Sequence, residues 1–350
     1  MNVVNADVQR NDNISIAKGI GIIMMVLGHT HFSRYGNAWV SMVHMPLFFF
    51  FSGYCFKEKY IGHFLTFVQR RIKGIYWPSL KWGLLFLALH NIFFHLNLYA
   101  DNTSYLYTGH DFLKKAFFIA TTMTQYEELL GGYWFMRTLF WCTLLGYGVI
   151  RFNFLSPIFR LVILLVASVF ILRFGLRIPY FDVGARELLA CSFFMAGYVY
   201  QKSRYKFELF VWIIPIALFL VSLGTIYWQA SMGWFQSMTW WKAIPWFFTA
   251  LIGIFAIYAI SVRINKHKKI SKAFAFVGEH TLVILTWHLL CFKLVSCVIV
   301  SIYNVQVRHM ADFPVIDGYS SKGWWIVYLL IGCGLPILLV LAKKICKKKC

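Results

Sequence analysis

Long apolar runs separated by short basic clusters constrain this chain more than any other feature. A helix needs roughly 20 residues to cross the hydrocarbon of a bilayer. Ten segments approach that length, at residues 14–32, 39–56, 75–95, 133–150, 158–174, 187–200, 209–228, 244–262, 274–302 and 324–342. Backbone polar groups in lipid must be satisfied within the segment itself, so these runs predict helices. The sixth is short for one crossing and the ninth is long. The apolar stretch 112–121 is too short to span and is expected at the interface or folded back on the bundle. Hydrophobic residues make up 60% of the chain and charged residues 13%, which excludes disorder and an ordinary soluble domain. The expected fold is an all-α polytopic membrane protein of about ten transmembrane helices. It is read as one domain over residues 1–350, with no fused soluble domain.

The chain carries 34 Lys and Arg against 13 Asp and Glu, a net charge of +21. Nucleic-acid binding needs such charges on one solvated face, and here they alternate with apolar runs. One set holds Lys57, Lys59, Arg70, Arg71, Lys73, Arg151, Arg160, Lys202, Arg204, Lys206, Arg263, Lys266, Lys268, Lys269, Lys272 and the lysines from Lys343 onward. The alternate set is poorer: Arg34, Lys114, Lys115, Arg173, Arg177, Lys242, Arg308 and Lys322. The positive-inside rule then places both termini in the cytoplasm, and no nucleic-acid partner is expected. No small-residue cleavage site follows the first segment, so it is read as a retained helix. Six of the eight cysteines lie in apolar segments, and Cys346 and Cys350 lie in the Lys-rich tail. No disulfide framework is expected. The tail reads as a charge anchor, with palmitoylation of Cys346 or Cys350 as the sharper alternative.

Ionisable residues inside spans are informative, because a charge at a helix centre costs about 2.5–3.5 kcal/mol on insertion scales. Lys18, His29, His44, Lys81, Arg137, Arg186, Glu187, His288 and Lys293 qualify. Lys81 lies near a span end, where snorkelling accounts for it. Lys18 and His29 are about three helical turns apart, so they share a face and sit about 16 Å apart along the axis. Snorkelling by Lys18 and an interhelical hydrogen bond by His29 stand beside the functional reading. His44 opens the block His44-Met45-Pro46-Leu47-Phe48-Phe49-Phe50-Phe51-Ser52-Gly53-Tyr54. Pro46 frees a carbonyl and kinks the helix. Either His44 satisfies that kink, or the kink aims His44 into a cavity beside His29. The His29-x-His31 pair lacks nearby carboxylates and thiolates, and no metal is expected.

Arg70, Arg71 and Lys73 follow the second span. Arg70 and Lys73 are expected on one helical face. Such a cluster can hold phosphates, and topology or anionic headgroups account for the same residues. Arg137 lies near the outer entry of the fourth span, where Glu127 and Glu128 can pair with it or line an outer mouth. Arg186 and Glu187 are adjacent and read as local neutralisation. His288 sits mid-span, in a central polar cluster or bonded to a neighbouring helix.

These elements resemble the acyltransferase 3 family of integral membrane O-acyltransferases. Lys18 followed by ten residues and His29 is similar to the family's Arg/Lys-x10-His signature. The block His44–Tyr54 is the most diagnostic stretch. Arg70-Arg71-Ile72-Lys73 followed by Tyr76-Trp77-Pro78 is similar to its Arg-x-x-Arg loop, and Tyr133-Trp134-Phe135-Met136 and Thr286-Trp287-His288 complete the pattern. The chain departs from it with Lys at 18 and at 73, which keeps charge and loses bidentate geometry.

The resemblance implies transfer of an acyl group, usually acetyl, from cytoplasmic acetyl-CoA to a hydroxyl of a surface or lipid-linked glycan. It places the CoA phosphates on Arg70, Arg71 and Lys73, the pantetheine arm past Lys18, and the thioester near His29. His29 would be general base or acyl carrier, with His44 orienting it. Arg137 would stabilise the oxyanion or hold the acceptor, with Glu127, Glu128 and His288 on the acceptor side. The setting implied is a bacterial cytoplasmic membrane, with membrane lipids as surroundings and no oligomeric state implied. The outer segments 97–130 and 304–323 carry Tyr99, Tyr105, Tyr107 and Tyr319, which can stack on sugars. A transporter or flippase for a lipid-linked saccharide is the competing reading, and a non-enzymatic scaffold a further one.

Overall fold

A computed structural model describes residues 12–100, 104–203, 213–233 and 235–349. Arg204, Lys206, Cys350 and the first residues of the seventh predicted span lie outside them. Helices dominate, in the order α1 (Asp12–His29), α2 (Arg34–Tyr54), α3 (Phe64–Arg71), α4 (Trp77–His95), α5 (Gly109–Thr122), α6 (Trp134–Arg151) and α7 (Pro157–Phe174). They continue as α8 (Ala185–Lys202), α9 (Ile213–Trp228), α10 (Ala243–Asn265), α11 (Lys268–Glu279), α12 (Thr281–Tyr303), the single turn α13 (Asp317–Tyr319) and α14 (Trp325–Lys349). A short antiparallel ladder, β1 (Arg177–Ile178) with β2 (Val183–Gly184), caps the turn from α7 to α8.

Among the described residues, four segments are long and apolar enough to cross a membrane: Pro157–Phe174, Trp240–Asn265, Thr281–Tyr303 and Asp317–Cys346, with Ile213–Trp228 apolar but shorter. The other expected spans coincide with helices that carry charge, such as Lys18 in α1 and Arg186, Glu187 and Lys202 in α8.

The ninth expected span is two helices. His280 breaks it, leaving the amphipathic α11 with Lys268, Lys269 and Lys272, and then the apolar α12. The lysines read as a loop therefore lie on a helix, which explains the excess length. The sixth span gains residues at both ends as α8, where Glu187 accepts from the Gly184 N–H at 3.0 Å. Residues 109–122 form α5, started by a capping box between Thr108 and Asp111.

Glycines set the two closest helix crossings. A Cβ at Gly19 would meet the Phe274 carbonyl, and one at Gly278 would meet Ser15 O, so α1 and α11 pack backbone to backbone. Gly53 against Phe194 O and Gly197 against Phe50 O do the same for α2 and α8. Pro46 lies inside α2, and it removes the N–H that would have served Met42 O. The Trp246 indole N–H donates to Met42 O at 3.1 Å instead. His44 does not satisfy the kink, as the sequence allowed. Its Nδ1 donates to Val40 O at 2.7 Å.

Two outcomes test this packing. Trp246→Phe keeps the ring but orphans Met42 O, and should cost about 1–3 kcal/mol, read as a lower Tm in detergent. Pro46→Ala in that background supplies an N–H at position 46 and should recover part of the loss. Gly278→Ala should cost about 1–3 kcal/mol by overpacking and should destabilise the protein more than Gly318→Ala, where a Cβ meets open space.

Candidate functional site

A cavity of about 620 Å³ lies between α1, α2, α3, α6, α11 and α12. Its wall on α1 is Ser15, Lys18, Ile22 and Met25, spaced three or four apart and so on one face. His29 continues that series one turn beyond Met25. On α12 the wall is Thr281, Leu282 and Leu285, and His288 continues it. On α2 it includes Met45, Phe48, Ser52 and Cys55, with His44 adjoining its far end. The three histidines thus lie one step past the apolar floor of the same cavity.

The opposite end is cationic. Lys18, Lys57, Arg70 and Arg71 line the cavity against one carboxylate, Glu279. The Arg70 guanidinium sits 5.2 Å from the centre of the Tyr60 ring and that of Arg71 5.0 Å from Phe67. Burial lowers the Arg71 pKa from its ordinary value, and its Nε is buried without a hydrogen-bond partner. Glu58 does not neutralise this end. Lys202, at 2.6 Å, and the Tyr198 hydroxyl bind its carboxylate and hold it below the usual range.

Lys73 departs from expectation. Residues Ile72–Tyr76 form a π-helical turn, which breaks the three-residue register that would have aligned Lys73 with Arg70. Lys73 is exposed and is not part of the cavity wall, whereas Arg70 and Arg71 are.

His29 and His288 form a pair. Their rings stack with centroids 5.1 Å apart and planes 19° apart, and His29 Nδ1 lies 2.9 Å from His288 Nε2. His288 Nδ1 faces the carbonyls of Ile284 and Leu285 at 3.0 and 3.1 Å. Carbonyls only accept, so Nδ1 carries the hydrogen of a neutral His288 and Nε2 is bare. His29 Nδ1–H then donates to that Nε2, which leaves His29 Nε2 with a free lone pair. His288 is thus the hydrogen-bond partner of His29. Beside it, the Tyr133 and Thr286 hydroxyls lie 2.7 Å apart, and Thr286 donates to Leu282 O. His44 is buried, with its Nδ1 on Val40 O.

The remaining predicted residues are elsewhere. Arg137 does not pair with Glu127 or Glu128. It binds Asp182 of the β hairpin at 2.8 Å, and Arg177 shares that carboxylate at 3.2 Å. Asp182 is far from Arg137 in sequence, so only folding reveals the pair. Glu127 is buried and accepts from His90 Nδ1 at 2.8 Å and from the Tyr99 hydroxyl at 2.9 Å. Burial and then the Glu127 charge push the Tyr99 phenol well above its ordinary pKa. His90 stacks on Tyr107 with centroids 3.4 Å apart. This cluster ties the segment after α4 to the 3-10 turn Glu128–Tyr133 before α6. Glu128 keeps one buried carboxylate oxygen without a hydrogen-bond partner. Arg186 reaches Glu187 at 3.2 Å and lies over Trp134, in keeping with local neutralisation. Lys293 is satisfied by the carbonyls of Met310 and Asp312 at 3.0 and 2.8 Å.

The motifs that assemble around this cavity are those that suggested a membrane acyltransferase. No curated protein and no solved structure matches the chain. A family model described as an acyltransferase domain matches residues 11–343, nearly the whole length, and the chain belongs to the acyltransferase 3 family.

Proposed function

We propose that the protein is a membrane O-acyltransferase that takes an acyl group, most often acetyl, from cytoplasmic acyl-CoA and passes it to a hydroxyl of a surface or lipid-linked glycan. The observation that carries this reading is the shape of the cavity. It is cationic at one end and apolar along its length, and His29 stands one helical turn beyond its Met25 wall. The cationic end faces the cytoplasm by the positive-inside rule, with about ten spans and both termini on that side. That orientation is that of a bacterial cytoplasmic membrane protein.

The residues divide the work along the cavity. Arg70 and Arg71, with Lys18 and Lys57, hold the phosphates by charge-assisted hydrogen bonds. Cation–aromatic contacts already hold the two guanidinium groups in place, so little side-chain freedom is lost on binding. The apolar wall of Ile22, Met25, Met45 and Phe48 accepts the pantetheine arm. The floor must part by side-chain movement to let a thioester reach His29, and Met25 and Met45 are flexible enough for this. His29 Nε2 takes the proton of the acceptor hydroxyl as its oxygen attacks the acyl carbon. The C–S bond breaks as the C–O bond forms, and the proton passes to the departing thiolate. His288 fixes the His29 tautomer and disperses the charge that His29 gains. His44, with Nδ1 committed to Val40 O, keeps Nε2 as an acceptor.

Purified protein supplied with acetyl-CoA and acceptor tests this. His29→Ala should lose transfer by about 10²–10⁴-fold, the usual worth of a general base. His288→Ala should lower kcat on the order of 10²-fold while leaving KM for acetyl-CoA near its starting value. Full activity of His29→Ala would overturn the mechanism, and CoA-independent substrate movement would favour a transporter. A second measurement concerns the cationic end. Each charge-assisted hydrogen bond is worth about 1.5–3 kcal/mol, so Arg70→Ala with Arg71→Ala should raise the Kd for CoA at least 10²-fold. Lys73→Ala should leave it within about twofold, because the π-turn carries Lys73 off the wall.

A further inference from the structure

A second cavity, of about 460 Å³, opens at the other end of α1, between the segment after α12 and the turn α13. Carboxylates and aromatic rings line it together. Asp312 and Asp317 contribute the carboxylates, and Phe313 and Tyr319 the rings. Phe313 is 44% exposed, and Tyr319 is supported from behind by Tyr303, with ring centroids 4.8 Å apart. Histidines hold both carboxylates in place: His309 reaches Asp312 at 2.9 Å and His31 reaches Asp317 at 2.7 Å. Each carboxylate keeps a second oxygen for another donor.

This cavity is coupled to His29 through the chain. His31 is two residues from His29, a span of at most about 7 Å. Ser320 donates to Thr30 O, so the turn that carries Asp317 and Tyr319 is bonded to the end of α1. The inner cavity lies on the Lys18 side of the histidine pair, and the turn that lines this one is bonded to the chain on the His31 side. Its lining carries two carboxylates and no Lys or Arg, so it suits a neutral, hydroxyl-rich molecule better than a phosphate. Sugar hydroxyls donate to carboxylates in charge-assisted hydrogen bonds, and the C–H face of a sugar ring packs on an aromatic face.

We propose that this outer cavity is the acceptor site, and that it binds a neutral glycan with Asp312 and Asp317 on its hydroxyls and Tyr319 and Phe313 against a ring face. The proposal rests on the acyltransferase reading above, and its test separates the two. The probe is total glycan extracted from the cells that make the protein and chemically deacetylated. Binding to the purified full chain is followed by calorimetry without acyl-CoA, and transfer is followed with radiolabelled acetyl-CoA.

Wild type should bind the extract saturably. Asp317→Asn, which retains an acceptor oxygen for His31, should raise the Kd and the acceptor KM at least tenfold. Tyr319→Ala should do likewise, and Tyr319→Phe, which keeps the ring, should restore most of the affinity. CoA binding and slow acetyl-CoA hydrolysis without acceptor should stay unchanged in all three. Unaltered Kd and KM in Asp317→Asn and Tyr319→Ala would overturn the proposal while leaving the transferase reading intact. Binding displaced by phosphatidylethanolamine nanodiscs but insensitive to Tyr319→Ala would assign the cavity to a lipid headgroup and also overturn it. Saturable, Tyr319-dependent binding with no transfer from acetyl-CoA would retain the glycan site and overturn the transferase reading instead.

Discussion

At Gly19 and Gly278 the backbones of α1 and α11 approach so closely that neither position has room for a Cβ, and the site depends on that contact. Lys18 precedes Gly19 and lines the cavity, while Gly278 and Glu279 form the adjoining wall. The break at His280 follows at once, and it turns the chain into α12 with Leu282, Leu285 and His288 on the face towards α1. Helix association in lipid gains little from apolar burial, so close packing through small residues carries much of the specificity. The same device recurs at Gly53 and Gly197, where α2 is held against α8. Between these two crossings the cavity remains open.

Polar groups inside the bundle are handled in two ways. Most are closed off locally. Trp246 supplies the donor lost at Pro46, Arg186 reaches Glu187, Lys293 caps two carbonyls, and His90 and Tyr99 occupy Glu127. Buried polar groups left unpaired are costly, and these contacts remove the cost. Others are left open: Glu127, Glu128, Arg137 and Arg160 each keep a buried atom without a hydrogen-bond partner away from the cavity. Arg71 keeps an unpartnered Nε, and the hydrogen bonds of His288 leave the His29 Nε2 lone pair uncommitted.

Much of the inner site was legible in the sequence because it is local. Lys18 and His29 share a face through helical periodicity alone, and their spacing survives as read. The block from His44 to Tyr54 likewise forms the continuous α2. The reading failed where local geometry departs from an ideal helix. A π-turn at Ile72–Tyr76 adds to the winding between Arg70 and the following residues, so three-residue spacing no longer means one face. A break at His280 made one apolar run into two helices. Neither has a clear composition signal, since both sequences are good helix formers on either side.

Hydropathy and charge therefore determined the helical membrane class and the residues rich in chemistry. Those properties are sums over neighbouring residues, which the chain carries with it unfolded. Pairings across long separations were decided only by the tertiary structure. His29 with His288, Arg137 with Asp182 rather than Glu127, and Trp246 with Met42 each join distant helices or turns. A hydrogen bond needs its partners within about 3 Å, and that distance is set by how glycine crossings and helix breaks stack the bundle, which no local pattern encodes.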